Sequence, residues 1–182
     1  MASFVVAFAG SVALWWLYFD QSAGAAAEMI ARSGDPGRLG RSAYHLIHPV
    51  MVAGIIVCAA ADEKVLADPG AAASNASAWM ILGGPALFLA GHAAFKLVVW
   101  RVLSWPRLAG IAVLGLLGLA ADAIPALALG ACTAALVIAV AVSDRLPWLP
   151  RPAEPAPRTS PGILPDLGRG VKIPESPNRG SK

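Results

Sequence analysis

Five apolar stretches dominate this chain, at residues 2–19, 43–61, 78–100, 106–122 and 124–143. Each approaches the roughly 20 residues that an α-helix needs to cross the hydrocarbon core of a bilayer. Polar or Gly/Pro breaks separate them: "GDPGRLGR", "DEKVLADPGAAASNAS", "SWPR" and "DAIP". None of the runs alternates strictly between apolar and polar positions, and Ala, Leu and Gly fill them, so helices rather than barrel strands are expected. The expected fold class is therefore all-α, a polytopic integral membrane bundle of about five helices. Pro125 should help to define the short turn between the last two.

Charge supports a membrane assignment. Only 14% of the residues are charged, against about 25% in a soluble domain. Residues 145–182 hold seven of the fourteen Lys and Arg and nine of the fifteen Pro. That division suggests a transmembrane domain over 1–144 and a solvated tail over 145–182, too poor in apolar residues to offset its ordering entropy. The tail is expected to be disordered. A net charge of +3 does not indicate a nucleic-acid partner, because the basic residues lie in connections and the tail rather than on one face.

The same residues orient the bundle. Arg32, Arg38 and Arg41 lie in the first connection; Lys96, Arg101 and Arg107 lie at the third; the second has Lys64 among acids. With the odd connections and the tail inside, thirteen of the fourteen basic residues are cytoplasmic. An N-out, C-in topology follows. Trp15, Trp16, Trp79, Trp100 and Trp105 then fall near membrane interfaces. The first run lacks a basic flank and exceeds a usual signal-peptide core, so it is expected to be a retained helix. Cys58 and Cys132 lie in apolar runs without metal-site spacing, as buried packing residues would.

Few ionisable residues remain, and this topology collects most of them at one depth. Asp20 ends the first run; Tyr44, His45 and His48 open the second; His92 and Lys96 lie in the inner half of the third. The pairs His45/His48 and His92/Lys96 have spacings that share a helix face. Such residues in a membrane tend to face the bundle interior and pair there. They read either as a proton- or ion-responsive cluster, or as boundary and inter-helix residues that only lock the bundle. Histidines three apart are weak evidence for a metal, and no metal or other cofactor is expected. At the opposite face Asp62, Glu63 and Asp122 form either the mouth of a pathway or a solvated acidic rim. The glycines and Pro85 of "LGGPALFLAGHAAF" suit close helix packing with a kink. No nucleophile elbow, phosphate loop or HExxH motif occurs, so an enzyme is not expected.

"ALWWLYFD", "AYHLIHPVMVAGIIVCAAADEKVLADP" and "LGGPALFLAGHAAFK", in that order, resemble the bacterial low temperature requirement A family over residues 10–143. The resemblance implies a multi-pass protein of the bacterial inner membrane and assigns no catalytic residues. It is to the C-terminal half of longer members, which implies an N-terminal-half polypeptide or a second copy as partner, besides the lipid bilayer. The expected function is a transport or ion-pathway module centred on Asp20, His48 and His92. The alternative is a non-transporting interaction or stress-adaptation protein.

Overall fold

The computed structural model describes residues 1–19 and 23–143. Seven α-helices account for most of them: α1 (Ala2–Phe19), α2 (Ala23–Ala31), α3 (Pro36–Gly40), α4 (His48–Ala67), α5 (Asn75–Trp100), α6 (Trp105–Gly118) and α7 (Ala126–Ser143). No strand occurs among the described residues. An isolated pairing of Ala72 with Pro125 ties the α4–α5 and α6–α7 connections together, with Ala126 N–H donating to Ala71 C=O at 3.0 Å. The chain is an all-α helical membrane bundle.

Four helices are long and apolar enough to cross a membrane: α1, the continuous stretch Pro36–Ala67, α5 and α7. The fifth expected run is shorter than its apolar sequence. α6 has 14 residues, about 21 Å of helix against a hydrocarbon core of about 30 Å. Leu119 and Ala120 close with tighter bonds to Leu116 and Leu117, and Ala121–Ala123 form a 3₁₀ turn around Asp122. Ile124 is extended, as the residue before Pro125 is biased to be. The second expected run is longer than its apolar core. Asp35 caps its start by accepting from Arg38 N–H at 2.9 Å, with Pro36 in the first turn. The helix then continues past Asp62 and Glu63 to Ala67. Helix α2 was not anticipated; Ala26 and Ile30 bury it, and it contacts α5. Cys132 is exposed on α7 and Cys58 half-buried, so the expectation of two buried cysteines is corrected; both are free thiols. The expected tail, 145–182, lies outside the described residues.

Between α3 and α4 the backbone widens into a π-helical segment, Arg41–Ile47, closed by His48 N–H on Ala43 C=O. Pro49 explains it. Proline has no N–H for the His45 carbonyl, and its ring would collide there in an α-turn. One extra residue in the turn relieves that contact.

Helix directions can be read from glycine neighbours. Gly54 packs on Phe88 and Gly84, Gly84 on Cys58, and Gly91 on Met51, so α4 and α5 are antiparallel. Gly110 meets Leu89 and Gly118 meets Leu82, so α6 runs opposite to α5. Gly10 lies at Ala134 and Gly130 at Val6, which makes α1 and α7 parallel. The ends of α1 and α5 thus gather with the starts of α4 and α6 at one end, called here the histidine end. The other is the acidic end. Helix α5 is central, with 61% of its most apolar window buried against 17–33% for the other three long spans.

The α4–α5 contact is close enough to exclude side chains. A Cβ at Gly84 would lie 2.8 Å from the Cys58 nitrogen, whereas one at Gly83 would meet nothing within 4 Å. Gly84→Ala is therefore expected to destabilise the bundle by about 1–3 kcal/mol, the usual range for overpacking. Gly83→Ala should be neutral or stabilising by up to about 1 kcal/mol, from helix propensity. Unfolding in detergent micelles, followed by circular dichroism, compares the two. Equal effects would refute the close approach.

Candidate functional site

Helix α5 carries two ionisable side chains into the interior at the histidine end. His92 is 0% exposed and Lys96 5%. One turn apart, they share the stripe that also buries Ile81, Pro85 and Leu89. Helix α5 stops at Arg101, whose φ of 59° is left-handed and whose N–H bonds back to Leu97 C=O. Only three residues then precede α6. The reversal sets Arg107, in the first turn of α6, beside the last turns of α5.

Arg107 is 0% exposed and is the largest of the fully buried side chains. Its Nη1 donates to Ser104 Oγ at 2.6 Å, and Ser104 is itself buried. Lys96 lies one turn from His92 on α5, and Arg107 opens α6 directly after the α5 reversal. Three basic side chains are thus buried on the adjoining helices α5 and α6. Desolvating such groups costs several kcal/mol each, so they occur inside membrane helices where they are paired or functional.

His48 lies half-buried beside this cluster, in an aromatic nest. Its ring centroid is 5.7 Å from Tyr18 and 6.2 Å from Tyr44, while Tyr44 stands edge-on to Phe95 at 5.7 Å. The Nδ1 of His48 is buried and has no hydrogen-bond partner among the described residues. Phe88 stands edge-on to His92 at 5.9 Å. His45 is exposed. The shared face expected for His45 and His48 is lost, because the π-helical turn advances the chain by a different angle from an α-turn. Asp20 lies outside the described residues.

The three acids at the other end do not form a group. Glu63 and Asp122 are exposed. Asp122 borders an apolar groove of about 340 Å³ between α5 and α6, with Trp79 and Leu119 on its walls. Asp62 is half-buried and lines a separate cavity of about 50 Å³ among α1, α4, α5 and α7. Among the described residues, no three His, Cys, Asp or Glu side chains converge as metal ligands.

Arg107 was the residue that sequence reasoning undervalued. It counted only as a topology charge, yet the short "RVLS" connection holds the start of α6 against the α5 turns bearing His92 and Lys96. Hairpin closure was the available signal. Thr133, which the sequence reading does not single out, is buried and lines the Asp62 cavity.

Comparison with known proteins agrees with this architecture. The family model described as bacterial low temperature requirement A protein matches residues 1–142. An uncharacterised protein of Rhizobium meliloti (strain 1021) is 31% identical over 135 residues, covering 74% of this chain and 33% of the relative. The chain thus spans about a third of the length of that curated relative. No solved structure matches it significantly. With its matched region running through all the apolar helices, the chain belongs to the bacterial low temperature requirement A family.

Proposed function

We propose that this chain is an ion-handling module of the bacterial inner membrane, placed N-out and C-in, with a charge-relay centre at the cytoplasmic half. The observation that carries this reading is the burial of three basic side chains, His92 and Lys96 on α5 and Arg107 on the adjoining α6. Ionisable groups at such depth characteristically mark proton or ion paths. Histidine is the member whose ring nitrogens can both accept and donate a proton. His48 flanks the centre, with its buried Nδ1 available for a further hydrogen bond. Asp20, which ends the first apolar run, is assigned the role of the acid of this centre on its sequence position. Further helices would come from an N-terminal-half polypeptide or from a second copy of this chain.

A specific observation favours a second reading. The 2.6 Å bond from Arg107 to Ser104 spans only three residues and fixes the start of α6. In that case the buried polar groups hold the hairpin together, and the chain is an interaction or stress-adaptation component that transports nothing.

Proton flux into proteoliposomes containing a trapped pH dye separates these readings. His92→Gln keeps an amide for hydrogen bonding and removes the titrating ring. Under the pathway reading it should lower flux about tenfold or more, with the unfolding temperature nearly unchanged. Exposed His45→Ala should leave flux within about twofold. Folded wild-type protein with no flux above empty liposomes would defeat the transport reading, and flux falling only in step with stability would favour the structural one. Orientation has its own test, using single cysteines in a background lacking Cys58 and Cys132. Ser74→Cys should react with an impermeant maleimide added outside intact cells, and Arg38→Cys only after permeabilisation. The opposite pattern would invert the topology.

A further inference from the structure

The cavity at Asp62 has a composition unlike the rest of the bundle interior. Four helices contribute to it: Ser11 from α1, Cys58 and Asp62 from α4, Ile81 and Pro85 from α5, and Thr133 from α7. Asp62 lies about one and a half turns inside the end of α4. It makes no salt bridge among the described residues, and no lysine, arginine or histidine lines the cavity. The other titratable group there is the Cys58 thiol, a soft and poor ligand for hard cations.

Three further oxygens belong to residues that line the same space. Thr133 Oγ1 donates its proton to the Leu129 carbonyl at 2.9 Å, which leaves its lone pairs for an electropositive partner. Ser11 brings a second hydroxyl. The third oxygen comes from the backbone. Pro85 has no N–H, so the carbonyl of Ile81, four residues earlier, loses its helical donor. Within a membrane such a carbonyl is tolerated where it lines a cavity that can satisfy it. Ile81 and Pro85 both line this one.

We propose that this cavity binds a dehydrated monovalent metal cation of sodium's class, held by the Asp62 carboxylate, the Ser11 and Thr133 hydroxyls and the Ile81 carbonyl. One carboxylate balances one positive charge; a divalent ion would leave an uncompensated charge in a low-dielectric setting. Hard oxygen ligands select alkali and alkaline-earth ions over transition metals. The volume of about 50 Å³ exceeds the ~10–15 Å³ needed for one water, leaving room for an ion with a little residual hydration. The site lies at the opposite end from His92 and does not depend on that cluster conducting anything.

The test is carbodiimide labelling of the full chain in detergent, with the modified residue located by peptide mass spectrometry. A hydrophobic carbodiimide attacks protonated carboxyls in apolar surroundings, so a cation on Asp62 protects it. Labelling of Asp62 at mildly acidic pH should slow about tenfold at a sodium concentration ten times the dissociation constant, since only the empty site reacts. Choline chloride at equal ionic strength should give no protection, and Asp62→Asn should remove the label. Thr133→Val deletes one ligand, and Pro85→Ala restores the N–H that engages the Ile81 carbonyl. Each should label normally yet need about tenfold more sodium for protection, one lost ligand being worth about a factor of ten. Equal labelling in sodium, lithium, potassium and choline would overturn the proposal in favour of a proton-only carboxyl. Protection by calcium but not sodium would overturn the charge assignment, and failure of Asp62 to label without sodium would overturn the site. Retention of wild-type protection by both ligand variants would overturn the proposed coordination.

Discussion

The backbone-to-backbone approach of α4 and α5 governs what the other helices can do. A Cβ at Gly54 would lie 2.6 Å from the Phe88 nitrogen, and one at Gly91 2.6 Å from Met51 Cγ. With lipid as solvent, the hydrophobic effect gives helices little reason to associate, and close packing through small residues takes its place. Once α4 covers that face of α5, the remaining helices close around its other sides. His92 and Lys96 lie on a helix that has become the centre of the bundle. Their burial follows from where the glycines are, and their desolvation has to be offset locally.

The two prolines inside the long spans answer the same problem in different ways. Pro49 stands near the helix start, and the chain absorbs it by widening a single turn, which separates His45 from His48. Pro85 stands in mid-helix, and α5 continues through it. There the proline has no N–H to offer the Ile81 carbonyl, and Ile81 lines the cavity that contains the Asp62 carboxylate.

Much of the bundle was legible because apolar run length is a strong signal in a membrane protein. Residues 2–19 form one helix at those bounds, and helix α5 ends at Trp100 as its apolar run does. Polar helical turns were harder to see. The first turns from Pro36 onward are rich in Gly and Arg, and only the Asp35–Pro36 cap marks them. The overestimate of α6 has the opposite cause: "GLAADAIP" is apolar, but Asp122 and the residue before Pro125 favour a turn over continued helix. For the site, i, i+4 spacing identified His92 and Lys96 as neighbours along α5. It could say nothing of Arg107 on α6 or Thr133 on α7, because contacts between helices depend on rotation and register. Those are set by glycine positions distributed over several spans.

Pro85 and His92 are seven residues apart, which places them about 10 Å apart along nearly the same face of α5. The Asp62 cavity and the cationic cluster are therefore two compartments on one helix stripe. Phe88 and Leu89 lie between them, both fully buried, and Leu89 packs against Gly110 of α6. This stretch presents apolar side chains where a continuous wet passage would need polar ones. The side chains of this apolar stretch are held by the packing of α4 and α6 on α5. The glycine contacts that bury the polar groups thus also keep them apart. The absence of a side chain at Gly110 lets α6 sit close on α5 beside Leu89, and on Val140 of α7.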